Sequence, residues 1–554
     1  MCGMNAIVSL EERKSQSKQF GSLVHRGPDQ IFQMSRGQLS IDYFRLAVTG
    51  GKSGEAPVRS KNGRWTCFLN GEIYNFRTLS TLHLGEVLNS DTKVLVEGIS
   101  KLGLKFFNFV HGMFAGIIVD EFSSKVFVFR DFFGEKPLFY SFQANQVLIS
   151  SEFQALSAKL EDNLQLDFEA VADYFRFGYI EEPKTIDTRI KAFPKGSVVS
   201  IDCKNKTIST EFILEPLMPQ NVALSHLISD VVNEVVASDV SQGYLLSGGF
   251  DSSTLIKLSK HRKNEGDQLF TLQGVGDSNQ KDVSGARKFA RKLGIKHNII
   301  SISQSEVMSR LPELVYALDQ PHADMSSFGY FKLFEAIKEH NLRVAQVGHG
   351  VDEMFWGYKW FNDKVVASHS LSQERFFWST PSDQTNLLDS LWTFSRKEVN
   401  GKLHPSDPYL LTSDRYQRAR AEICHSYLSH NGLGQIDRLA MHHSVEPRAA
   451  FADSRLYFWA QQNSQGSSDF EKRAFKSAVS NPLQRQLSNR KKRGFDIGMM
   501  EFVNSMEFEN LYQRKIMDFK ENNIPLNPEL KGMRLGAKQK YRLLVLSLWL
   551  EAKL

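Results

Sequence analysis

Gly243-Tyr244-Leu245-Leu246-Ser247-Gly248-Gly249-Phe250-Asp251-Ser252-Ser253 is the stretch on which the fold turns. The apolar run ending at Leu246 reads as a short buried strand. A Ser/Gly turn follows, and Ser252 to Leu258 then reads as a helix. Glycines let a backbone approach phosphate closely, and a helix N-terminus favours anions. The serine hydroxyls add donors, and the Asp251 carboxylate can hold Mg²⁺ on the same phosphates. A generic tight strand-to-helix turn is the plainer alternative.

The same alternation extends outward. Leu224, Leu227, Ile228, Val231, Val232, Val235 and Val236 recur at helical spacing. Strands are expected over 268–273, 298–302 and 342–347, with a helix over 283–293. Strand and helix in turn imply a parallel sheet flanked by helices. Beyond about residue 355 the sequence reads as mainly helical. Upstream, residues 1 to about 200 are strand-rich. Apolar runs at Ala6–Leu10, Trp65–Leu69, Phe114–Val119, Lys125–Phe129 and Gln146–Ile149 are separated by turns. Leu214 to Gln220, with Pro216 and Pro219, reads as a linker. Two domains are expected, a β-rich one over 1–212 and an α/β one with a helical tail over 221–554. No internal repeat is evident.

Composition excludes several classes. The chain has 554 residues, and 68 Lys+Arg against 62 Asp+Glu leave +6. That surplus is too slight for an electrostatic nucleic-acid binder. Gly 37 and Pro 16 are near ordinary usage, which excludes collagen-like and low-complexity chains. Forty-one Phe argue for large cores and against disorder. No apolar run is long enough for a membrane span, and the first residues lack the layout of a signal peptide. The cysteines Cys2, Cys67, Cys203 and Cys424 form no C-x-x-C pair, so zinc ribbons are unsupported and a reducing, cytoplasmic setting is expected. A Walker A loop is excluded because Gly51-Lys52-Ser53 has Leu46 where the first glycine belongs. Gly274-Val275-Gly276 lacks the third glycine of a dinucleotide fingerprint.

Chemistry also gathers at the start of the chain. Cys2 becomes the first residue if Met1 is removed. Its thiol is then a nucleophile beside a free α-amine of pKa roughly 7.7–8.0, able to take the thiol proton. The plainer reading is an early residue of a buried strand. His25-Arg26-Gly27-Pro28-Asp29 combines a charged fork, a turn and an acid. Asn70-Gly71-Glu72-Ile73-Tyr74-Asn75 follows a strand, and the Asn70 amide with the Gly71 N–H could serve one developing oxyanion. Asn-Gly is also a common hairpin turn. Ser90-Asp91-Thr92 supplies another carboxylate.

These segments, with Arg130-Asp131-Phe132-Phe133-Gly134-Glu135-Lys136-Pro137 and Ser151-Glu152, resemble the class II glutamine amidotransferases, as that domain occurs in glutamine-hydrolysing asparagine synthetases. Ala6 stands where the family often has glycine. Downstream, Ser247 to Ser253 resembles the pyrophosphate loop of ATP pyrophosphatases. Gly348-His349-Gly350-Val351-Asp352-Glu353-Met354-Phe355-Trp356-Gly357-Tyr358 resembles the second metal and substrate loop of the synthetases. Asp437-Arg438, Glu446-Pro447-Arg448, Phe451-Ala452-Asp453 and Arg490-Lys491-Lys492-Arg493-Gly494-Phe495 resemble later family stretches.

The resemblance implies an N-terminal Ntn-type β-sandwich flanked by helices (αββα), and a parallel-sheet ATP-pyrophosphatase-like domain with a helical tail. It implies that Cys2 forms a glutamyl thioester, that Asn70 and Gly71 hold the oxyanion, and that Arg45, Glu72 and Asp91, with Asn70, bind glutamine. It places ATP along Leu246, Ser247, Gly248, Gly249, Asp251, Ser252, Leu272, Val347 and Gly348, with Mg²⁺ on Asp251 and Asp352. Lys492 would neutralise phosphate or adenylate charge. The implied reaction activates a carboxylate as an acyl-adenylate, which ammonia from glutamine converts to an amide, releasing AMP and pyrophosphate. Partners are then small molecules (glutamine, ATP, and aspartate or another carboxylate), with no nucleic acid and no membrane, and a homodimer is allowed.

Two departures bear on the acceptor. His349 stands where the family usually has Asp or Glu near the acceptor. Neutral imidazole can accept one proton but supplies no permanent negative charge. Trp356 replaces a usual glycine, with a narrower pocket expected. A uronic acid is one alternative acceptor. Asp319-Gln320-Pro321-His322-Ala323-Asp324 resembles an acceptor-side segment, with changes at Gln320 and His322.

Overall fold

The computed structural model describes residues 2–9, 20–48, 56–123, 125–160, 163–202, 205, 207–215, 221–259, 264–367, 410, 412–464, 466–479, 497–521 and 535–552. Among the described residues twelve strands build the N-terminal part: β1 (Cys2–Ser9), β2 (Gln30–Arg36), β3 (Leu39–Arg45), β4 (Val58–Arg59), β5 (Trp65–Ile73), β6 (Gly112–Asp120), β7 (Lys125–Arg130), β8 (Phe139–Phe142), β9 (Gln146–Ser150), β10 (Lys191–Ala192), β11 (Ser197–Asp202) and β12 (Thr207–Ile213). They form two six-stranded sheets, in the orders β10-β8-β9-β1-β3-β2 and β12-β11-β7-β6-β5-β4. Among the described residues every pairing within them is antiparallel, such as β1 with β3 and β5 with β6.

Period-two alternation explains how the layers stack. Met4, Ala6 and Val8 of β1 share a core with Ile41 and Tyr43 of β3, Phe68 of β5, and Ala115 and Ile117 of β6. That core lies between the sheets. Cys67 and Leu69, the alternate positions of β5, pack instead with Val94, Leu95 and Ile99 of the helix Asp91–Leu102. Ile7 and Leu148, the alternate positions of the first sheet, pack with Phe153 and Leu156 and with Ala170, Val171 and Tyr174 of the helix Phe168–Phe177. Each buried aliphatic side chain in these layers contributes roughly 1.5–3 kcal/mol relative to exposure. The expected αββα sandwich is the observed one. Its helices, and strands such as β2, β3 and β8, lie outside the expected apolar runs, because mixed edges blur the alternation.

The C-terminal part holds β13 (Gln242–Leu245), β14 (Gln268–Gln273), β15 (His297–Ser301), β16 (Val344–Val347) and β17 (Glu446–Ala449). They form one five-stranded sheet in the order β15-β14-β13-β16-β17, and all four pairings are parallel. The helices Leu224–Val235, Phe250–Leu258 and Gln280–Leu293 match the expected periodic segments within a few residues. β17 is a strand within the tail that was expected to be mainly helical. Its sequence, Glu-Pro-Arg-Ala, has no strand-like apolar run, and the parallel edge of β16 imposes the extended form. Strand order reverses at β13, with β14 on one side and β16 on the other. Ligand crevices form outside the carboxyl ends of strands at such a switch point.

The two parts are packed together. Asp319 accepts from the N–H groups of Phe153 and Gln154, both at 2.7 Å, at the start of the helix Phe153–Lys159. The Trp549 indole of the last helix donates to the Asp319 carbonyl at 3.1 Å. Among the described residues, no helix is long and apolar enough to cross a membrane.

Candidate active sites

The first site lies at one end of the inter-sheet layer. Cys2 pairs directly with Arg45 across the β1–β3 ladder, and Met4 with Tyr43. Asn70 and Glu72 follow Phe68 at alternate positions of β5, on the inter-sheet side. Two strand registers therefore bring Cys2, Arg45, Asn70 and Glu72 together, all of them buried.

Asn70 is oriented by a specific bond. Its Oδ1 accepts from the Cys2 backbone N–H at 3.0 Å. The amide nitrogen must then face the other way. Asn70 is 0% exposed and its Nδ2 has no hydrogen-bond partner. Burying such a donor unpaired costs about 1–3 kcal/mol, so its persistence points to a ligand oxygen. Gly71 sits at φ +140°, and a Cβ there would come within 2.0 Å of the Met113 carbonyl oxygen, so only glycine fits.

Tyr43 is a member of this site that sequence reading missed. Its hydroxyl lies 2.8 Å from Cys2 Sγ and 2.7 Å from the Leu69 carbonyl. Burial, with Cys2 beside it, raises the phenol well above its ordinary pKa, so it stays a donor. Its place two residues before Arg45 on one strand was the available signal.

Glu72 and Asp91 are both buried carboxyls. Burial pushes Glu72 up to about 8, with the Asp91 charge adding to it and Arg448 opposing it. Burial also raises Asp91, although the N–H groups of Ile73 and Thr92 donate to it at 3.2 and 2.6 Å. The pair lacks enough positive charge, a deficit that a ligand ammonium would fill.

The second site lies at the carboxyl ends of β13, β14 and β16. Leu246 continues β13 and donates its N–H to the Phe270 carbonyl at 2.8 Å. The Ser247 and Ser252 hydroxyls are 3.0 Å apart across the turn. Gly248 has φ +76°, and a Cβ there would meet the Asp282 carbonyl oxygen at 2.3 Å. Leu272 and Val347 are buried at the neighbouring strand ends, and a Cβ on Gly348 would lie 3.3 Å from the Ser252 nitrogen. The residues that the sequence reading assigned to ATP therefore gather at neighbouring strand ends.

Asp251 and Asp352 converge on a single cation, the Lys472 ammonium. It lies 2.6 Å from Asp251 Oδ2 and 2.5 Å from Asp352 Oδ1. Lys472 is buried, and the Trp356 carbonyl holds its loop by accepting from the Glu471 N–H at 2.9 Å. Two oxygen donors meeting at one point of positive charge suit Mg²⁺ completed by phosphate and water. Sequence reading passed over Lys472 in favour of Lys492, which lies outside the described residues with the rest of its basic run.

His349 follows β16 and is half-buried. Its Nε2 lies 3.3 Å from the Tyr330 hydroxyl. Burial raises the Tyr330 phenol, and the Asp324 and Glu353 carboxylates add to the shift. Asn431 donates to Asp324 at 2.7 Å, and the Tyr358 hydroxyl donates to Glu353 at 2.8 Å. His322 is buried and held down to about 4, chiefly by desolvation. Gln320 faces the N-terminal part and accepts from the Ile186 N–H at 3.2 Å.

Trp356 corrects the narrowing expected of it. Its φ of +61° is the region that favours glycine, at a cost of about 1–2 kcal/mol for another residue. The indole packs in the core against Phe361, Tyr416 and Phe470, with the Arg420 guanidinium 4.9 Å above the ring. Core burial and the cation–π contact offset the backbone strain.

A family model described as asparagine synthase matches residues 223–519, and one for a glutamine amidotransferase domain matches residues 1–212. Asparagine synthetase [glutamine-hydrolyzing] 1 of Bacillus subtilis (strain 168) is 29% identical over 385 residues, covering 66% of this chain and 60% of that relative. The second such synthetase of that organism is 26% identical over 580 residues, covering 96% and 75%. A solved glutamine phosphoribosylpyrophosphate amidotransferase from B. subtilis is 17% identical at a TM-score of 0.27, covering 54% of this chain and 65% of that one, a likeness too slight to carry weight. With the asparagine-synthase match alone taking in more than half of its length, the chain belongs to the asparagine synthase family.

Proposed function

We propose that this chain is a glutamine-dependent asparagine synthetase. Glutamine is hydrolysed at Cys2, and the ammonia converts an ATP-activated carboxylate into an amide, with AMP, pyrophosphate and glutamate as co-products. The observation that carries this reading is the presence, in one chain, of the Cys2–Asn70–Gly71 cluster and the Asp251–Lys472–Asp352 cluster.

With Met1 removed, the Cys2 amine takes the thiol proton and the sulfur attacks the glutamine side-chain carbonyl. The oxyanion meets Asn70 Nδ2, a donor already aimed and desolvated, with the Gly71 N–H as its partner. Collapse, with the Cys2 ammonium returning that proton to the leaving nitrogen, expels ammonia and leaves a thioester, which water opens to glutamate. Arg45 pairs with the glutamine carboxylate, and Glu72 and Asp91 hold its ammonium. A small cavity between the two parts is lined by Tyr74, Phe132, Phe133 and Val235 but also by the acidic residues Asp131, Glu135 and Asp453, so its wall is mixed rather than apolar.

At the second site the Ser247–Ser252 turn cradles the ATP phosphates and Lys472 lies against them. Asp251 and Asp352 would hold Mg²⁺, which when bound neutralises phosphate charge. The carboxylate acceptor lies by His349. The Asp324 and Glu353 carboxyls act on Tyr330, the hydrogen-bond partner of His349, which supports aspartate and its ammonium as the acceptor. His349 itself favours a second reading, the same chemistry on another carboxylate such as a uronic acid.

The deciding experiment offers Mg-ATP, glutamine and either aspartate or a sugar carboxylate, and follows product by mass spectrometry. Asparagine formation with stoichiometric AMP supports the first reading. Turnover on the sugar acid alone sinks it.

Glu72 gives a pH prediction. Only its ionised form holds the glutamine ammonium, and burial beside Asp91 pushes its carboxyl up to about 8. The KM for glutamine should therefore fall as pH rises from about 6.5 to 8.5, by at most about tenfold per unit. Glu72→Gln should have a high and nearly pH-independent KM. A wild-type KM that is flat across that range would refute the assignment.

A further inference from the structure

One continuous stretch of the C-terminal part reaches the N-terminal site at three points. Asp437, on the helix Gly434–His442, accepts from Arg26 Nη2 at 2.8 Å and from Lys136 Nζ at 2.9 Å. Ser444 donates its hydroxyl to the His25 carbonyl at 2.6 Å. Arg448, on β17, lies 3.6 Å from Glu72.

The Asp437 contact leads directly to the nucleophile. Arg26 is fully buried, and its Nε lies 3.3 Å from the Cys2 carbonyl oxygen, to which it donates. Its Nη1 donates to Glu152 at 3.2 Å. The Cys2 backbone is therefore held at both ends, its N–H by Asn70 and its carbonyl by Arg26. A guanidinium is a rigid planar fork, so fixing two of its nitrogens fixes where the third points. Glu152 and Asp437 are those two fixtures. In this network Arg26 and Lys136 face Glu152 and Asp437, and His25 Nε2 also lies 2.9 Å from Glu152. Asp437 is 1% exposed, a depth at which an unpaired charge is strongly destabilising. Burial opposes ionisation of Asp437, but Arg26 and Lys136 outweigh it and hold the carboxyl below its ordinary range.

We propose that Asp437 is a positioning residue for glutamine hydrolysis, lent by the C-terminal half: it orients Arg26, and Arg26 fixes the Cys2 backbone in the pose from which the thiol attacks. This rests on the reading of Cys2 as the nucleophile. The same helix touches the acceptor side, where the Gln435 amide donates to Ser327 Oγ at 2.5 Å at the start of the helix Ser327–Glu339, which carries Tyr330.

The test uses the full chain with Asp437→Asn, Asp437→Glu and the double variant Lys136→Met with Asp437→Asn. The double variant removes one charge of each sign, so the local balance is kept if the single change fails to fold. Glutamine hydrolysis and ammonia-driven synthesis are assayed separately. Asp437→Asn should lower kcat for glutamine about tenfold or more, with KM for glutamine and ammonia-driven synthesis each within about twofold of wild type. Asp437→Glu should recover most of the loss, and the double variant should stay slow. Wild-type glutamine turnover in Asp437→Asn, an equal loss of ammonia-driven synthesis, or full recovery in the double variant would overturn the proposal. Persistent hydrolysis in Cys2→Ala would instead overturn the nucleophile itself.

Discussion

Cys2→Ala should leave the chain unable to use glutamine while it still makes amide from ammonium salts. The reasoning is local. Removing Sγ removes the atom that attacks, and no neighbouring group can take its place. Tyr43 is held protonated by burial, and Asn70 is an amide. Loss of a nucleophile that acts as a unit with its base lowers turnover by about 10⁴-fold or more. Structural damage should be slight. The substitution removes one buried atom, and the Tyr43 hydroxyl keeps its second acceptor, the Leu69 carbonyl at 2.7 Å. Product is followed by mass spectrometry with glutamine labelled at the amide nitrogen, against ammonium chloride as the other source. Labelled amide from the variant at more than a trace of the wild-type rate would remove Cys2 from the mechanism.

The mirror-image result is expected at the other site. Asp352→Asn should suppress synthesis from both nitrogen sources and leave glutamate release largely intact. The change keeps shape and removes charge. Lys472 would then retain Asp251 alone as its carboxylate partner of this pair. The crevice would gain positive charge and lose half of the oxygen pair that suits a divalent cation. Removing one such electrostatic partner of the reacting phosphates lowers turnover by about 10²–10³-fold. Pyrophosphate release, coupled to a colorimetric phosphate assay, measures it. Ammonia-driven synthesis near the wild-type rate would show that the Asp251–Asp352 pair does not serve the activation step. Together the two variants form a double dissociation: each silences one site and spares the other.

Much of this arrangement was readable before any coordinates. Ser247 to Ser253 announced itself because a phosphate-cradling turn is local: strand, glycines and helix start lie within a dozen residues. Cys2, Asn70 and Asp91 were legible only through their order along the chain, since what joins them is the pairing of distant strands. Tyr43 and Lys472 were missed for the same reason, and Asp437 was read only as part of a family-like stretch, without its contact to Arg26. Tyr43 reads as one more core aromatic until the register sets it against Sγ. Lys472 reads as one basic residue among several until the Glu471 N–H bonds to the Trp356 carbonyl. Asp437 lies 411 residues from the arginine it orients, a separation no pattern of spacing can bridge. β17 went unread because Glu446 and Arg448 look like surface residues, yet they neutralise each other in the interior at 2.6 Å.

The alternation of β5 has a practical corollary. Phe68, Asn70 and Glu72 share one face of that strand, and Cys67, Leu69 and Gly71 the other. If the strand slid by a single place along β6, a greasy row and a bare backbone would face the nucleophile, and the amide and carboxylate would be driven into the helix-side layer. Secondary-structure content would barely change. Glutaminase turnover is therefore a sensitive gauge of alignment: a refolded preparation with native circular dichroism and an alkylatable Cys2, but no hydrolysis, would be diagnosed as mis-threaded rather than chemically damaged.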